Sequence, residues 1–236
     1  MVEEDIVSNL RRLICVLAAA TVAVTAAPAT ADAAAPAVYQ TAFSTCRARL
    51  AAPNSVLLIG DSLTTSWMAS TTAAFTAAGR PVCINAQSGR QTAEAVRQLA
   101  RYKSAGLIRP QTTVVMAIGS NDTYGARAGY MHWQVDNVQR VLQYGKSYRQ
   151  PVVWVDVLNW WRNRGVAAQR VYGAGTWVVN IQLWQKDAQY PNLRVAHWNA
   201  LTGSHYTRYL IDGLHMSAYG ITARNDLIMR TLGPRL

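Results

Sequence analysis

Five short runs rich in valine, isoleucine and leucine recur along the chain, and segments with helical spacing separate them. The runs do not alternate between apolar and polar residues, which is typical of strands that are buried on both faces of a parallel sheet. The runs are Val56–Gly60, Val82–Ala86, Thr113–Ile118, Val152–Leu158 and Leu193–Trp198. Such an alternation of strands and helices predicts an α/β fold, a three-layer α/β/α sandwich with a central parallel sheet.

The helices are predicted from the spacing of their apolar residues. Helical spacing covers Thr92–Tyr102, a stripe from Met131 to Leu142, another from Trp177 to Ala188, and Ser217–Leu232. Ser217 is the expected N-cap of the last helix. The polar stretch 159–176 has no strong period, so we expect a long loop there, and loops of that length are often functional.

Polar or small residues follow the predicted strand ends. Ligands of open α/β sheets bind beyond the carboxyl ends of the strands. The residues at these positions are Asp61-Ser62, Gly89, Asn121 and Asn159-Trp160-Trp161. We therefore expect the functional site at this edge of the sheet, with Trp160 and Trp161 as substrate contacts; packing is the alternative role for both. The other tryptophans in predicted elements, Trp154, Trp177, Trp184 and Trp198, are expected in the core.

Three residues have the chemistry of a serine nucleophile with its base. A serine hydroxyl needs a base to remove its proton, and imidazole is the usual base, oriented by a carboxylate. Ser62 follows the first strand, and Asp212 and His215 are three residues apart, so that their side chains can meet within one helical turn. His205 is the alternative base. The G-x-S-x-G elbow of the α/β-hydrolases is absent, since Thr64 stands where its last glycine would be.

Four sequence fragments together resemble the conserved blocks of the GDSL-type, or SGNH, hydrolase family. They are Gly60-Asp61-Ser62-Leu63, Asn85-Ala86-Gln87-Ser88-Gly89, Gly119-Ser120-Asn121-Asp122 and Asp212-Gly213-Leu214-His215. The resemblance spans roughly residues 53 to 232. It implies a flavodoxin-like, five-stranded sheet of order 2-1-3-4-5 and a serine esterase with Ser62, Asp212 and His215 as catalytic residues.

The resemblance also implies an oxyanion hole. Its donors would be the Ser62 N–H, the Gly89 N–H and the Asn121 side-chain amide. Glycine lets the backbone approach a ligand closely, and an asparagine amide is a hydrogen-bond donor. The second block departs from the family pattern, because Gln87 stands where glycine is frequent and the spacing from Asn85 to Gly89 is one residue short. The Ser88 N–H is therefore the alternative donor.

The N-terminus has the layout of a secretory signal peptide. Arg11-Arg12 precede an apolar segment, Leu13–Ala27, and small residues follow. That segment is shorter than the roughly 20 residues that span a membrane, so no transmembrane segment is expected after cleavage. We expect a signal peptide at 1–31, a linker and N-terminal segment at 32–52, and the hydrolase domain at 53–236. The alanine-, proline- and threonine-rich part, 28–42, is expected to be a flexible linker.

Cysteine content and charge suggest where the protein acts. Beyond Cys15 in the leader, only Cys46 and Cys83 remain, and an even pair in an exported protein favours a disulfide over two buried thiols. Removal of the leader leaves 21 basic and 9 acidic residues, a net charge of +12. A basic protein favours anionic surroundings such as the cell envelope, but the arginines are scattered and no nucleic-acid motif occurs.

The resulting expectation is a secreted or cell-wall-associated, monomeric serine esterase that acts on an acylated lipid or carbohydrate without a metal or other cofactor. Two alternatives remain open. One is an acyltransferase that uses the same catalytic triad on an acceptor in the cell envelope. The other is an inactive, basic cell-wall-binding module. Turnover of an ester by the pure protein distinguishes the last from the first two.

Overall fold

A six-stranded sheet lies between two layers of helices in a computed structural model of the chain, which describes residues 38–123, 131–147, 150–160 and 165–234. The strands are β1 (Val38–Gln40), β2 (Val56–Gly60), β3 (Val82–Gln87), β4 (Thr113–Ala117), β5 (Val152–Val155) and β6 (Leu193–Ala196). The longer helices are α1 (Phe43–Ala51), α3 (Met68–Ala77), α4 (Thr92–Ser104), α5 (Met131–Ser147), α6 (Gly165–Asp187) and α9 (Ala218–Leu232). The short helices are α2 (Ser62–Thr65), α7 (Trp198–Thr202) and α8 (Tyr206–Tyr209).

The strand order is β1-β3-β2-β4-β5-β6, and every neighbouring pair from β3 to β6 is parallel. The order 2-1-3-4-5 is therefore confirmed for the five predicted strands. The expected number of strands was wrong, because β1 adds a sixth at the edge, antiparallel to β3. The linker expected at 28–42 thus does not extend over Val38–Gln40, whereas the leader expected at 1–31 lies outside the described residues.

Alternating strand residues face two separate hydrophobic clusters, one on each side of the sheet. In β2, Leu57 and Ile59 face the first cluster, whereas Val56 and Leu58 face the second. Helices α1, α4, α5 and α6 contribute to the first cluster, and α3, α7, α8 and α9 contribute to the second. The apolar character of the strands on both faces thus has the expected cause, burial from both sides.

Helix α9 begins as predicted. Ser217 is its N-cap, and the Ser217 hydroxyl accepts a hydrogen bond from the Gly220 N–H at 3.0 Å. The expected loop at 159–176 was largely wrong, because residues 165–176 form the first half of α6. This helix lacks a clear amphipathic stripe, since apolar and small residues lie all around it. In the described part of the chain, no helix combines the length and apolar character needed to cross a membrane.

A disulfide joins Cys46 of α1 to Cys83 of β3, as the sequence predicted. Both cysteines are fully buried. The bond closes a 37-residue separation and attaches the N-terminal helix to the sheet. Because a cross-link of this kind restricts the unfolded chain, it stabilises the fold.

Reduction of this disulfide is expected to lower the free energy of unfolding by roughly 2–5 kcal/mol. The measurement is thermal or urea unfolding with and without a reductant. The matched control is the Cys46→Ala/Cys83→Ala variant, whose stability should not respond to the reductant. Two titratable thiols from these positions in denatured, unreduced protein would contradict the prediction.

Candidate active site

Ser62 lies where the sequence predicted it, directly beyond a strand and at the start of a helix. Strand β2 ends at Gly60, Asp61 is the N-cap of α2, and Ser62 is the first residue of that helix. The Asp61 carboxylate accepts a hydrogen bond from the Leu63 N–H at 3.0 Å. This cap fixes the turn, so that the Ser62 backbone is held at the carboxyl edge of the sheet.

Asp212 and His215 form the expected pair. The Asp212 Oδ2 atom lies 2.7 Å from His215 Nδ1, while Asp212 Oδ1 accepts hydrogen bonds from the backbone N–H of His215 at 2.7 Å and of Leu214 at 3.0 Å. The residues lie in the loop between α8 and α9, and not in a helical turn. His205, the alternative base, is exposed on a separate 3₁₀ turn.

The pKa of Asp212 lies below its usual value. Its partial burial acts in the opposite direction, but the hydrogen bonds from the His215 ring and from the His215 and Leu214 backbone outweigh it. The carboxylate therefore stays ionised around neutral pH. An ionised Asp212 holds a proton on His215 Nδ1, which leaves Nε2 as the nitrogen that can accept a proton from a nucleophile.

Contacts around Ser62 and His215 bring their two loops to the same side of the sheet. Leu63 and Leu214, the immediate neighbours of these residues, belong to one hydrophobic cluster. In addition, the Trp160 N–H donates to the Gly213 carbonyl at 2.9 Å, which attaches the Asp212–His215 loop to the segment after β5. The expected nucleophile and its expected base pair thus lie on one face of one edge.

The first expected oxyanion donor after Ser62 lies in a tight turn beyond β3. The Arg90 N–H donates to the Gln87 carbonyl at 3.2 Å, and Gly89 has a φ of +77°. This conformation favours glycine over other residues. The Ser88 hydroxyl lies 3.3 Å from the Thr65 hydroxyl of α2, which connects this turn to the helix that begins with Ser62.

Asn121 follows β4 and contacts the same turn. Its side-chain amide donates to the Arg90 carbonyl at 3.1 Å. The contact joins residues 31 positions apart, so Asn121 does not form a local Asx-turn through this group. The structure thus brings Ser62, Gly89 and Asn121, which the sequence placed in three separate blocks, to linked loops at one edge.

Two buried side chains that sequence reasoning did not assign to the site hold the Asn121 loop. The Ser120 hydroxyl donates to Asp61, and the Asn159 amide donates to the Ser120 carbonyl at 3.2 Å and to the Thr123 hydroxyl at 2.8 Å. Burial raises the pKa of Asp61 in spite of the Ser120 hydrogen bond and the Arg224 charge. The position of Asn159 at a predicted strand end was the available signal for its role.

Arg90 was missed entirely, although it connects all three blocks. Its side chain is 1% exposed, and its guanidinium donates to the Asn85 carbonyl at 2.8 Å and to the Gly60 carbonyl at 3.2 Å. Its own carbonyl accepts the Asn121 amide. Nothing in a single sequence indicates that one arginine among 20 is buried beneath a site.

Arg90→Lys is expected to lower kcat by about 10–100-fold with little change in KM, because misplacement of reacting groups by about 1 Å costs about this much. Both carbonyls accept from the single Arg90 Nη1 atom, and a lysine ammonium on its flexible stem is not held at that position by a rigid guanidinium plane. The measurement is steady-state ester hydrolysis. The matched control is Arg97→Lys, at an exposed position of α4. A rise in KM alone, or a wild-type kcat, would contradict the prediction.

Asp122 caps the neighbouring helix α4. Its carboxylate accepts from the Thr92 N–H at 3.0 Å and from the Thr92 hydroxyl at 2.8 Å. Burial is the largest influence on this group, and it raises the pKa of Asp122 to about 6 despite those hydrogen bonds, with the Asp61 charge acting in the same direction. Asp122 is therefore a structural acid whose ionisation the fold opposes.

The stability of the fold should fall as pH rises from about 4 to about 6 because of Asp122. Over this range the folded protein holds the proton that the unfolded chain, with an aspartate pKa near 3.9, has released. Asp122→Asn should remove this contribution, on the order of 2–3 kcal/mol. The measurement is urea unfolding of both proteins at pH 4 and pH 7. Equal changes in stability over this range would contradict the prediction.

Two tryptophans are more exposed than the sequence predicted. Trp154 and Trp198 are buried as expected, but Trp177 is 56% exposed and Trp184 is 37% exposed, so both were wrongly expected in the core. Trp160 is 39% exposed beside the Asp212–His215 loop, whereas Trp161 lies outside the described residues. A stripe at helical spacing predicts a helix, but it does not say which face is covered.

The chemistry of this edge is that of serine, imidazole, carboxylate and amide groups. Within the described ranges, no cluster of three or more histidine, cysteine, aspartate or glutamate side chains could hold a metal ion. The two buried carboxylates nearest Ser62 and Asn121, those of Asp61 and Asp122, accept hydrogen bonds from Ser120 and Thr92. The arrangement is suited to attack by a hydroxyl and stabilisation of an oxyanion.

No protein-family model and no curated protein sequence matches the chain. Solved structures, in contrast, are similar to it. A GDSL-like lipase from Bacteroides thetaiotaomicron is 16% identical with a TM-score of 0.59, over 76% of this chain and 87% of that one. The C-terminal catalytic domain of peptidoglycan O-acetyltransferase A from Streptococcus pneumoniae is 17% identical with a TM-score of 0.60, over 76% of this chain and 93% of that one.

A third similar structure is the psychrotrophic esterase EstA from Pseudoalteromonas. It is 14% identical with a TM-score of 0.52, over 76% of this chain and 96% of that one. Sequence identities of this size leave the fold as the shared property. The α/β/α sandwich of this chain is the fold of the GDSL, or SGNH, hydrolases.

Proposed function

We propose that the protein is an exported serine esterase of the SGNH type that hydrolyses carboxylic esters through an acyl-enzyme. The observation that carries the proposal is the 2.7 Å contact between Asp212 and the His215 ring, on the edge of the sheet at which Ser62 begins a helix. A base oriented by a carboxylate is the group that a serine nucleophile needs. The fold shared with an esterase and a lipase agrees with it.

In the proposed reaction, His215 Nε2 takes the Ser62 proton while Ser62 Oγ attacks the ester carbonyl. The carbonyl oxygen becomes negative and is stabilised by the Ser62 and Gly89 N–H groups and the Asn121 amide. The intermediate collapses, the C–O bond to the alcohol breaks, and His215 returns its proton to the departing oxygen. A water molecule, deprotonated by His215, then attacks the acyl-enzyme and releases the acid and Ser62.

Acyl transfer is the second candidate. It uses the same acyl-enzyme, but a hydroxyl of a sugar or lipid replaces water in the second half of the reaction. The observation that favours it is the fold shared with a peptidoglycan O-acetyltransferase domain. Product analysis in the presence of an added alcohol separates the two, because a transferase forms the new ester with little free acid.

Export is supported by the disulfide. Disulfides form and persist in oxidising compartments and are rare in the cytosol, and Cys46 and Cys83 are joined. The basic balance of the chain favours positive charge at its surface, since the three aspartates buried in the described residues are matched by three buried arginines. Such a surface suits an anionic cell envelope, so we place the enzyme there or in the medium.

The proposal is tested with pure protein, a series of nitrophenyl esters of increasing acyl length and a set of acetylated sugars. We expect turnover, and covalent addition of a serine-reactive phosphonate at Ser62 in the peptide mass spectrum. The chain-length profile gives the acyl preference. Absence of turnover on every ester, or an adduct at a residue other than Ser62, would overturn the proposal.

A further inference from the structure

Three partly exposed tryptophans lie on or against α6, and Trp160 among them adjoins the Asp212–His215 loop. Trp160, Trp177 and Trp184 are 39%, 56% and 37% exposed. Exposed aromatic groups that adjoin one another mark interaction sites more often than isolated ones do. An indole ring also carries a large apolar face at a small cost in conformational freedom.

Trp160 packs against α6 at a glycine. A Cβ atom at Gly173 would lie only 3.3 Å from the Cη2 and Cζ3 atoms of Trp160. The absent side chain thus lets the Trp160 ring lie directly against α6. Trp177 is four residues beyond Gly173, which places it on the same helix face one turn away.

Trp184 continues the line along α6. It lies seven residues after Trp177, which is two turns or about 10 Å along a helix, similar to the length of a disaccharide unit. Its Nε1–H donates to the buried Asp156 carboxylate at 3.0 Å. The hydrogen bond fixes the ring before any ligand arrives, so less entropy is lost on binding.

The line of rings is continuous with the proposed catalytic site. The Trp160 N–H donates to the Gly213 carbonyl at 2.9 Å, and Gly213 follows the carboxylate that contacts His215. A long ligand that lies over these rings would therefore have one end beside the catalytic loop.

We propose that Trp160, Trp177 and Trp184 form a platform that binds an extended glycan chain. This inference rests on the proposed function and names its substrate class as an acylated polysaccharide. The C–H faces of pyranose rings stack on flat indole surfaces, and a row of such surfaces at the spacing of sugar units holds the chain in one direction. The platform presents an ester on the chain to Ser62.

The exposure of the rings favours a glycan over a lipid surface. Trp160 and Trp184 are more than half covered, the first packed against Gly173 and the second hydrogen-bonded to Asp156. Polar side chains also interrupt the outer face of α6, including the exposed Arg170 and Gln185. A helix that enters a membrane interface presents a strongly apolar face with bulky groups that penetrate the lipid.

The test uses the full chain with Ser62→Ala and ¹⁵N-labelled indoles, titrated with hexasaccharides of N-acetylglucosamine and of xylose. We expect one of them to shift the indole resonances of Trp177 and Trp184 and leave those of the buried Trp154 and Trp198 unchanged. Trp177→Ala should weaken binding about tenfold. The control is Tyr39→Ala, an exposed aromatic on β1 at the far edge of the sheet.

Two results would overturn the platform. One is the absence of any shift at Trp177 and Trp184 with either hexasaccharide. The other is a shift with vesicles of phosphatidylcholine and phosphatidylglycerol but not with a glycan, which would make the surface a lipid contact. Because this variant lacks the nucleophile, glycan binding is measured independently of hydrolysis. Binding without esterase activity in the wild type would keep the platform and reject the proposed reaction.

Discussion

Replacing Ser62 by alanine is expected to lower kcat/KM for ester hydrolysis by about 10⁴-fold or more, the scale on which loss of a serine nucleophile acts elsewhere. The Ser62 Oγ atom forms the ester bond of the proposed acyl-enzyme. Its loss therefore removes the covalent route and leaves only the stabilisation of the oxyanion. Fold stability should change little, because Ser62 is partly exposed at the first position of α2 and the cap is supplied by Asp61.

The matched control is Ser66→Ala. Ser66 is exposed one turn further on, and its hydroxyl donates to the Ser62 carbonyl at 3.1 Å, so this variant removes a hydroxyl close by without removing the nucleophile. It should retain activity within about threefold, since loss of an exposed hydrogen bond has a small effect. The two assays are initial rates of ester hydrolysis and circular dichroism. Activity of Ser62→Ala within tenfold of wild type, with an unchanged spectrum, would mean that another residue is the nucleophile.

The central sheet was predictable because each strand has its own local signal. A continuous apolar run is needed wherever a strand is buried on both faces, and β2 is entirely buried. The pair of Asp212 and His215 was equally accessible, since three residues of separation bring the two side chains together without help from the rest of the fold. The edge strand β1 was not predictable, because its three residues are all exposed and lack a buried face.

Contacts between distant segments limited how much of the candidate site could be predicted from the sequence. The sequence identified Ser62, Gly89 and Asn121 through separate motifs, but it contained no signal for the buried Arg90 side chain that bonds the Gly60 and Asn85 carbonyls. Asn159 was visible only as a polar residue after a strand. The exposure of Trp177 and Trp184 was predicted wrongly, because apolar residues at helical spacing indicate a helix but do not indicate whether another element covers that face.

The second large effect is expected at Asn121. Its amide has two N–H donors; one donates to the Arg90 carbonyl at 3.1 Å, and we assign the other to the oxyanion. Since that charge develops only as the carbonyl becomes tetrahedral, the donor stabilises the transition state far more than the bound ester. Asn121→Ala should therefore lower kcat by about 10²–10³-fold with little change in KM, as the loss of one such donor does elsewhere.

Asn121→Asp should lower kcat at least as far as Asn121→Ala does. A carboxylate has no donor for the oxyanion, and its negative charge opposes the charge that develops on the substrate. Both variants also lose the hydrogen bond to Arg90, at a cost of about 0.5–1.5 kcal/mol in stability, so stability alone cannot separate the two roles of the amide. Kinetics can. If Asn121 only anchors the Gly89 turn, the two variants should lose stability, kcat should fall no further than the roughly 10–100-fold expected for Arg90→Lys, and Asn121→Asp should be no more damaging than Asn121→Ala. A kcat deficit of two to three decades, shared by the rate of phosphonate addition at Ser62, is the result that identifies Asn121 as an oxyanion donor.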